Sequence, residues 1–349
     1  MCCTAMADKK PSKKPAATTT KSQSAFTSGQ EGLFGVLRRD ADYFFDIPDS
    51  LLSRRFLATV RFTSTPAGTG KYGGESVNQQ TVYWEPAPGN VMLLRSDLMV
   101  NMGNPIDAID RAVKTSNNNP IIGTFKIEGH RNGHYLVKVT SFFNEDNPAL
   151  GVGRDIKNKF GLQGYMPQAS YIESIKTFPL NTEIRTVKTW MTSTTSTIAG
   201  SNTGRVTLGL NVSFVLLPKD PMIPRLFDPR VGYFTDTYYV FADNQQRSET
   251  MRFITRWRLE PKDSTDMEKM KRGELVEPKK PIVYYIDPAT PKKWRPYLIQ
   301  GVNDWQKAFE HAGFKNAIMA KEWPVGCDSM SMEDARFSVI RYYASPIEN

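Results

Sequence analysis

The residues that could carry chemistry here are few and scattered. The chain has three histidines, His130, His134 and His311. His130 and His134 stand four apart, a spacing that on a helix would put two imidazoles on one face and could chelate a metal. Between them lie Arg131-Asn132-Gly133, and Asn-Gly between two alternating runs is the signal of a two-residue hairpin turn. The pair is therefore assigned to the two arms of a tight turn, with no third ligand beside it. His311 falls near the end of an expected helix, where a cation is favoured by the exposed carbonyls by ~0.3–1 kcal/mol, and it is read as structural.

The other candidates are resolved in the same way. Of the three cysteines, Cys2 and Cys3 are adjacent and Cys327 is remote, so they form neither a disulfide framework nor a CxxC metal knuckle. Cys327, in Pro324-Val325-Gly326-Cys327-Asp328, is read as a loop thiol. Gly68-Thr69-Gly70-Lys71 followed by Gly73-Gly74 has the look of a phosphate loop. It lacks the first glycine and the Ser/Thr after the lysine, and no helix follows, so it is taken as a loop. Arg256, Arg258 and Glu260 share one face of an expected strand. They are read as cross-strand charge pairs, with a contact to the following domain as their role. No catalytic, cofactor-binding or metal residue is assigned.

The elements that must position these residues are mostly strands. Positions 56, 58, 60 and 62 (Phe, Ala, Val, Phe) alternate with more polar neighbours and describe a half-buried strand. Further strands are expected over 43–48, 81–84, 91–94, 120–128, 135–143, 183–195, 205–217, 233–242 and 251–259. A short turn or helical piece is expected at 50–55. Many short strands with Gly, Asn and Pro turns imply a sandwich or a curved antiparallel sheet. Residues 262–280 are charged and aperiodic and read as a boundary.

Beyond it the pattern becomes α/β. Ile282-Val283-Tyr284-Tyr285-Ile286 is a strand. Thr290-Pro291 is expected as a helix N-cap with proline in the first position. Trp294, Leu298, Val302, Trp305 and Phe309 form one apolar stripe, expected in the core, and Gly313 ends the helix. Strands follow within 316–323 and 334–344. The expected organisation is thus a leader over 1–30, a small segment over 31–85, a β-rich domain over 86–270 and an α/β segment over 275–349.

Hydrophobic residues are 40% of the 349, and the formal charge is +9. Five lysines against Asp8 put +4 of this into residues 1–30, leaving the rest mildly basic. No aromatic interleaves those lysines to stack on bases, so the tail is read as a disordered leader, and no nucleic-acid partner is assigned. No apolar run approaches the ~20 residues of a transmembrane helix. Ala5-Met6-Ala7 before a polar stretch has the form of a signal-peptide end. Export to the periplasm, outer membrane or exterior is therefore expected, with a signal peptide upstream or a lipid anchor on Cys2 or Cys3.

Four stretches carry a family resemblance. They are Arg230-Val231-Gly232-Tyr233-Phe234-Thr235, Arg256-Trp257-Arg258-Leu259-Glu260-Pro261, the run from Pro281 through Asp287 to Trp305 and Phe309, and Asp334-Ala335-Arg336-Phe337-Ser338-Val339-Ile340-Arg341-Tyr342. Together with Ile47-Pro48-Asp49-Ser50-Leu51-Leu52, they resemble large secreted bacterial zinc-dependent metalloproteases, in which an uncharacterised β-rich domain precedes a metzincin-like catalytic domain. The resemblance runs over about 32–349. It implies a zinc held by HExxHxxGxxH, with the glutamate activating the metal-bound water, and a protein or peptide substrate. No HExxH is present, so the chain is expected to stop before the zinc helix, to bind no zinc itself and to be inactive alone. The alternative is a secreted, non-catalytic β module binding protein or glycan through loops at 116–119 and 192–197.

Overall fold

The computed structural model describes residues 26–98, 103–192 and 203–343. Most of the expected leader, Cys2, Cys3 and Ala5-Met6-Ala7 lie outside the described residues, as do positions 193–197 and Ala344. The strands in chain order are β1 (Ser28–Gln30), β2 (Gly35–Arg39), β3 (Asp42–Pro48), β4 (Phe56–Ser64), β5 (Ser76–Ala87) and β6 (Val91–Ser96), with a 3-10 turn at Asp49–Leu51. After α1 (Ala108–Ser116) come β7 (Ile121–Arg131), β8 (His134–Lys138), α2 (Thr140–Asn144), α3 (Arg154–Lys159), β9 (Leu162–Tyr165) and β10 (Tyr171–Thr177). Then follow β11 (Asn181–Thr192), β12 (Arg205–Leu216), β13 (Thr235–Val240), β14 (Glu249–Ile254) and α4 (Ser264–Lys271). The last elements are β15 (Ile282–Ile286), α5 (Arg295–Asn303), α6 (Gln306–His311), β16 (Ile318–Glu322) and β17 (Ser338–Ile340).

The protein is mostly β. One antiparallel sheet has the order β1-β2-β3-β8-β7-β6-β5-β4-β12-β11-β10, with β9 also on β11. It curls until its edges meet: the Leu33 N–H donates to the Phe178 carbonyl at 2.7 Å. Gly32 permits the approach, since a Cβ there would lie 2.4 Å from Thr177 Oγ1. The inward positions of alternating strands fill the curl with Phe56, Val60, Phe62, Trp84, Ile184, Leu210 and Phe214. Phe34 packs at its centre, with ring centroids 5.2 Å from Phe45, 5.4 Å from Phe56 and 6.0 Å from Trp84.

Helix α2 corrects the strand expected over 135–143. Phe142 and Phe143 are adjacent and both buried, and a strand cannot point neighbouring side chains into one core. The chain turns after Lys138, where Thr140 Oγ1 accepts the Tyr43 N–H at 2.7 Å. The helix then plugs the curl, with Phe142 packed 4.9 Å from Phe125 and Phe143 packed 5.9 Å from Phe45.

A small parallel sheet, β16-β15-β17, with its helices, completes the chain near its C-terminus. The boundary at 262–280 contains a real helix, α4, which its charge concealed. Asp263 caps it by accepting the Asp266 N–H at 2.9 Å. The strand expected over 251–259 ends at Ile254. Past it the Arg256 and Arg258 guanidiniums donate to the Ile223 and Asp220 carbonyls at 2.9 and 2.7 Å.

The long helix expected from Thr290 is two helices. Thr290-Pro291 forms a turn ahead of α5, in which Trp294 N–H bonds the Pro291 carbonyl. Most of its stripe is also not core: no residue of α5 is buried, and Trp294 and Trp305 are 50% and 63% exposed, while Phe309, half-buried, does pack against Val276, Phe314 and Ala317. Polar side chains make the contact to the sheet instead. Asn303 Oδ1 and Gln306 Oε1 accept the N–H groups of Ala320 and Ala317, each at 3.0 Å.

Candidate functional site

β4, β12 and β11 lie side by side, and their register fixes what faces outward from the curl. Arg61 is opposite Asn211, and Asn211 is opposite Arg185. One step along, Thr59, Ser213 and Glu183 form the next row. Alternation sends these odd-numbered side chains away from the core that Val60, Val212 and Ile184 occupy. Neighbours in such a row stand ~5 Å apart at Cβ, so the sheet presents a polar patch flanked by two guanidiniums.

The segment 332–343 crosses over this patch, and between the two lies a cavity of about 470 Å³. Its floor includes Arg61, Glu183, Arg185, Asn211, Ser213 and Val215, and its roof Glu333, Phe337, Val339, Arg341 and Tyr343. Tyr343 can lie against the loop because Gly74 has no side chain. A Cβ there would sit 2.5 Å from the ring, and the backbone φ of +89° favours glycine as well.

Asn181, wholly buried, ties roof to floor. Its Nδ2 donates to Glu183 Oε1 at 2.5 Å and to the Glu333 carbonyl at 2.7 Å, while its Oδ1 accepts the Ala335 N–H at 2.9 Å. Glu333 in turn accepts from Lys176 at 2.8 Å and pairs with Arg185. The Glu183 carboxylate accepts from Asn181, Asn211 and Ser213. Burial nevertheless pushes its pKa above the ordinary carboxylate range, against those three donors and helped by the Glu333 charge.

Asp287, at the end of β15, moves the other way. Burial works against its charge, but the Ala289 and Tyr342 N–H groups and the Arg341 guanidinium hold its pKa below the usual range. Asp334 is paired with Arg336 at 2.6 Å. Among the described residues the Arg61 guanidinium has no hydrogen bond or ion pair. The arrangement can bind and orient a polar group.

A second polar cluster sits on the inward face of β11. Lys188 points into the curl, 4% exposed, and donates to the Glu145 carbonyl. Nearby, Asp146 accepts from Lys157 at 2.6 Å and from Trp190 Nε1 at 3.1 Å. Burial lowers the Lys188 pKa to about 8, with Asp146 opposing and Lys157 assisting. Burial likewise raises the pKa of Tyr165, whose hydroxyl donates to the Asn144 carbonyl.

The residues singled out from sequence lie elsewhere. Asn132 and Gly133 have φ of +52° and +76°, the positive pair of a tight hairpin turn. On its arms His130 Nε2 meets Asp49 at 3.0 Å and His134 Nδ1 meets Asp46 at 3.1 Å, two separate pairs. His311 is in the last turn of α6. Cys327 Sγ lies 3.3 Å from Ser329 Oγ. The Gly68–Gly74 stretch is a loop closed by Thr65 Oγ1 donating to the Lys71 carbonyl at 2.7 Å. Among the described residues the Arg256 and Arg258 guanidiniums bond Ile223, Asp220 and Glu260, none of them in the parallel sheet. The opposite face does reach that sheet: Trp257 meets Tyr284 edge-on at 5.9 Å, and Leu259 packs against the Val276, Phe314 and Ala317 cluster. Among the described residues no three of His, Cys, Asp and Glu converge on a point that could hold a metal ion. No helix among them is long and apolar enough to cross a membrane.

Sequence reading missed Asn181, Glu183 and Arg61. The one legible signal was a lysine in the apolar register Ile184, Thr186, Lys188, Trp190.

The polar patch and the curl both fall largely within residues 74–262, which match the model of a domain of unknown function, DUF5117. The chain belongs to the DUF5117 family. Residues 13–65 match a second domain of unknown function, DUF5118. Strands from both the DUF5118 and the DUF5117 stretches pair in the one sheet, β4 of the former directly on β5 and β12 of the latter. Neither match is to a protease family. No curated protein and no solved structure matches the chain.

Proposed function

We propose that this chain serves an exported zinc-dependent peptidase as the module that carries and orients an α/β unit, and that its own residues supply no zinc ligand. The observation that supports this is the joint. Asn181 and Glu333 fasten the segment leading into β17 to the curled sheet, and Trp257 and Leu259 brace β15 and its surroundings. A parallel strand–helix–strand unit of this size has little core of its own, and among the described residues its buried cluster is Val276, Phe314 and Ala317, with Ile282, Ile286 and Ala320 also buried. The resemblance of 281–342 to the opening of a metzincin-like domain gives that mounted unit its assignment. Zinc-activated water would then act on a protein or peptide in the enzyme this module serves.

The test uses an antibody against the curled sheet to recover the native product from the envelope and culture medium of the source cells. The expected product holds about one zinc per molecule and cleaves unfolded protein until a chelator is added, while the 349-residue chain alone does neither. A native product with no zinc and no proteolytic activity overturns the proposal.

A second reading has one observation in its favour. The stretch around β13 and β14 exposes Ile223 and Phe234 at 83% and 88%, with Leu226 and Tyr233 beside them. Apolar surface of this kind suits a protein-binding module without catalysis. That reading predicts a recovered native product bound to a partner in fixed ratio, with zinc irrelevant to the complex.

A further inference from the structure

We infer that the cavity between the curled sheet and the 332–343 segment is a binding site for a small monocarboxylate with an apolar body. The inference stands whether or not the chain serves a peptidase. The volume, about 470 Å³, is that of small-molecule sites in general.

The charged side chains in and around it already have partners, with one exception. Arg185 and Lys176 share Glu333, Arg336 holds Asp334, and Arg341 holds Asp287. Glu183 is occupied by Asn181, Asn211 and Ser213. Arg61 lines the same cavity, and its guanidinium has no partner among the described residues. A guanidinium offers parallel N–H donors in the geometry a carboxylate accepts.

A single guanidinium without a partner is satisfied by a single carboxylate. A phosphate dianion would bring a second charge up against Glu183 and Glu333 and is disfavoured there. The rest of the lining decides the body of the ligand. Val215 on the floor with Phe337, Val339 and Tyr343 on the roof form the apolar side of the cavity.

The test is calorimetric titration of the full chain with four probes: hexanoate, N-acetyl-leucine, hexanamide and inorganic phosphate. Hexanoate stands for a free organic acid and N-acetyl-leucine for a peptide C-terminus, so whichever binds tighter names the source. At least one of the two acids should bind at about 1 mM or tighter, with hexanamide and phosphate weaker by about tenfold or more. Arg61→Gln should weaken the acid by about tenfold. Arg61 is exposed, so this variant should keep the wild-type melting temperature, and Arg38→Gln, elsewhere on the surface, should bind as wild type does. The inference is overturned if neither acid binds at about 10 mM, if hexanamide or phosphate binds as well as the acids, or if Arg61→Gln binds them undiminished.

Discussion

Lys188 gives the sharpest test of how this fold handles charge. Its pKa is lowered from 10.5 to about 8 by burial inside the curl. A base whose folded pKa lies below its unfolded one holds fewer protons when folded, so stability rises with pH through the window between the two values. Below pH 8 both states carry the proton, and the folded state bears the whole cost. At 1.36 kcal/mol per pH unit this is roughly 3 kcal/mol.

Lys188→Met removes that cost, keeps much of the packing volume and leaves the Glu145 carbonyl without its donor, a loss of about 1–3 kcal/mol. The net change at pH 7 is therefore small, but the pH dependence is not masked. The variant's stability relative to wild type should fall by about 2 kcal/mol between pH 7 and pH 9.5. Urea unfolding of both proteins at several pH values measures it, each pair at one ionic strength. Parallel stability profiles would refute the burial argument, because they would mean that Lys188 reaches solvent and titrates normally.

The joint, the acid beneath it and the hairpin yield further expectations. Asn181→Ala deletes three hydrogen bonds, one to a carboxylate, and should cost about 3–5 kcal/mol; urea unfolding gives the size, and faster hydrogen exchange at 332–343 its location. Glu183 is the reverse of Lys188: its folded pKa is raised, so stability should decline as pH climbs from the ordinary carboxylate value to the folded one. Glu183→Gln should flatten that decline in a thermal melt series, and an unchanged slope would contradict the assignment. Gly133→Val places a β-branched residue at φ +76° and should cost ~1 kcal/mol or more. The loss should appear as a lower melting temperature, with the His130–Asp49 and His134–Asp46 pairs disturbed in the NMR spectrum.

Much of the large sheet could be read locally. The alternation at Phe56, Ala58, Val60 and Phe62 named β4 and its inward face, and Asn132-Gly133 named the β7–β8 hairpin. Both signals depend on backbone geometry within a few residues. The adjacent pair Phe142 and Phe143 went astray because β propensity favours a strand there, and only the space inside the curl favours the turn that buries both rings. The stripe Trp294, Leu298, Trp305 went astray for a related reason. Periodicity tells which side of a helix is apolar, and it does not tell whether anything lies against that side.

The candidate site was the least legible part. Arg61, Glu183 and Arg341 are far apart in the chain, and each by itself is an ordinary charged residue on a strand or loop. Sequence alone determined that the chain is mostly β with an α/β stretch after it, and which residues of β4 share its inward face. Tertiary structure alone decided that β4 pairs with β12, that 332–343 crosses their outer face, and that Lys188 ends in the interior. Alternation follows from the backbone of a single strand. Strand order and the closing of one segment over another follow from long-range contacts, whose free energy no single stretch of the chain contains.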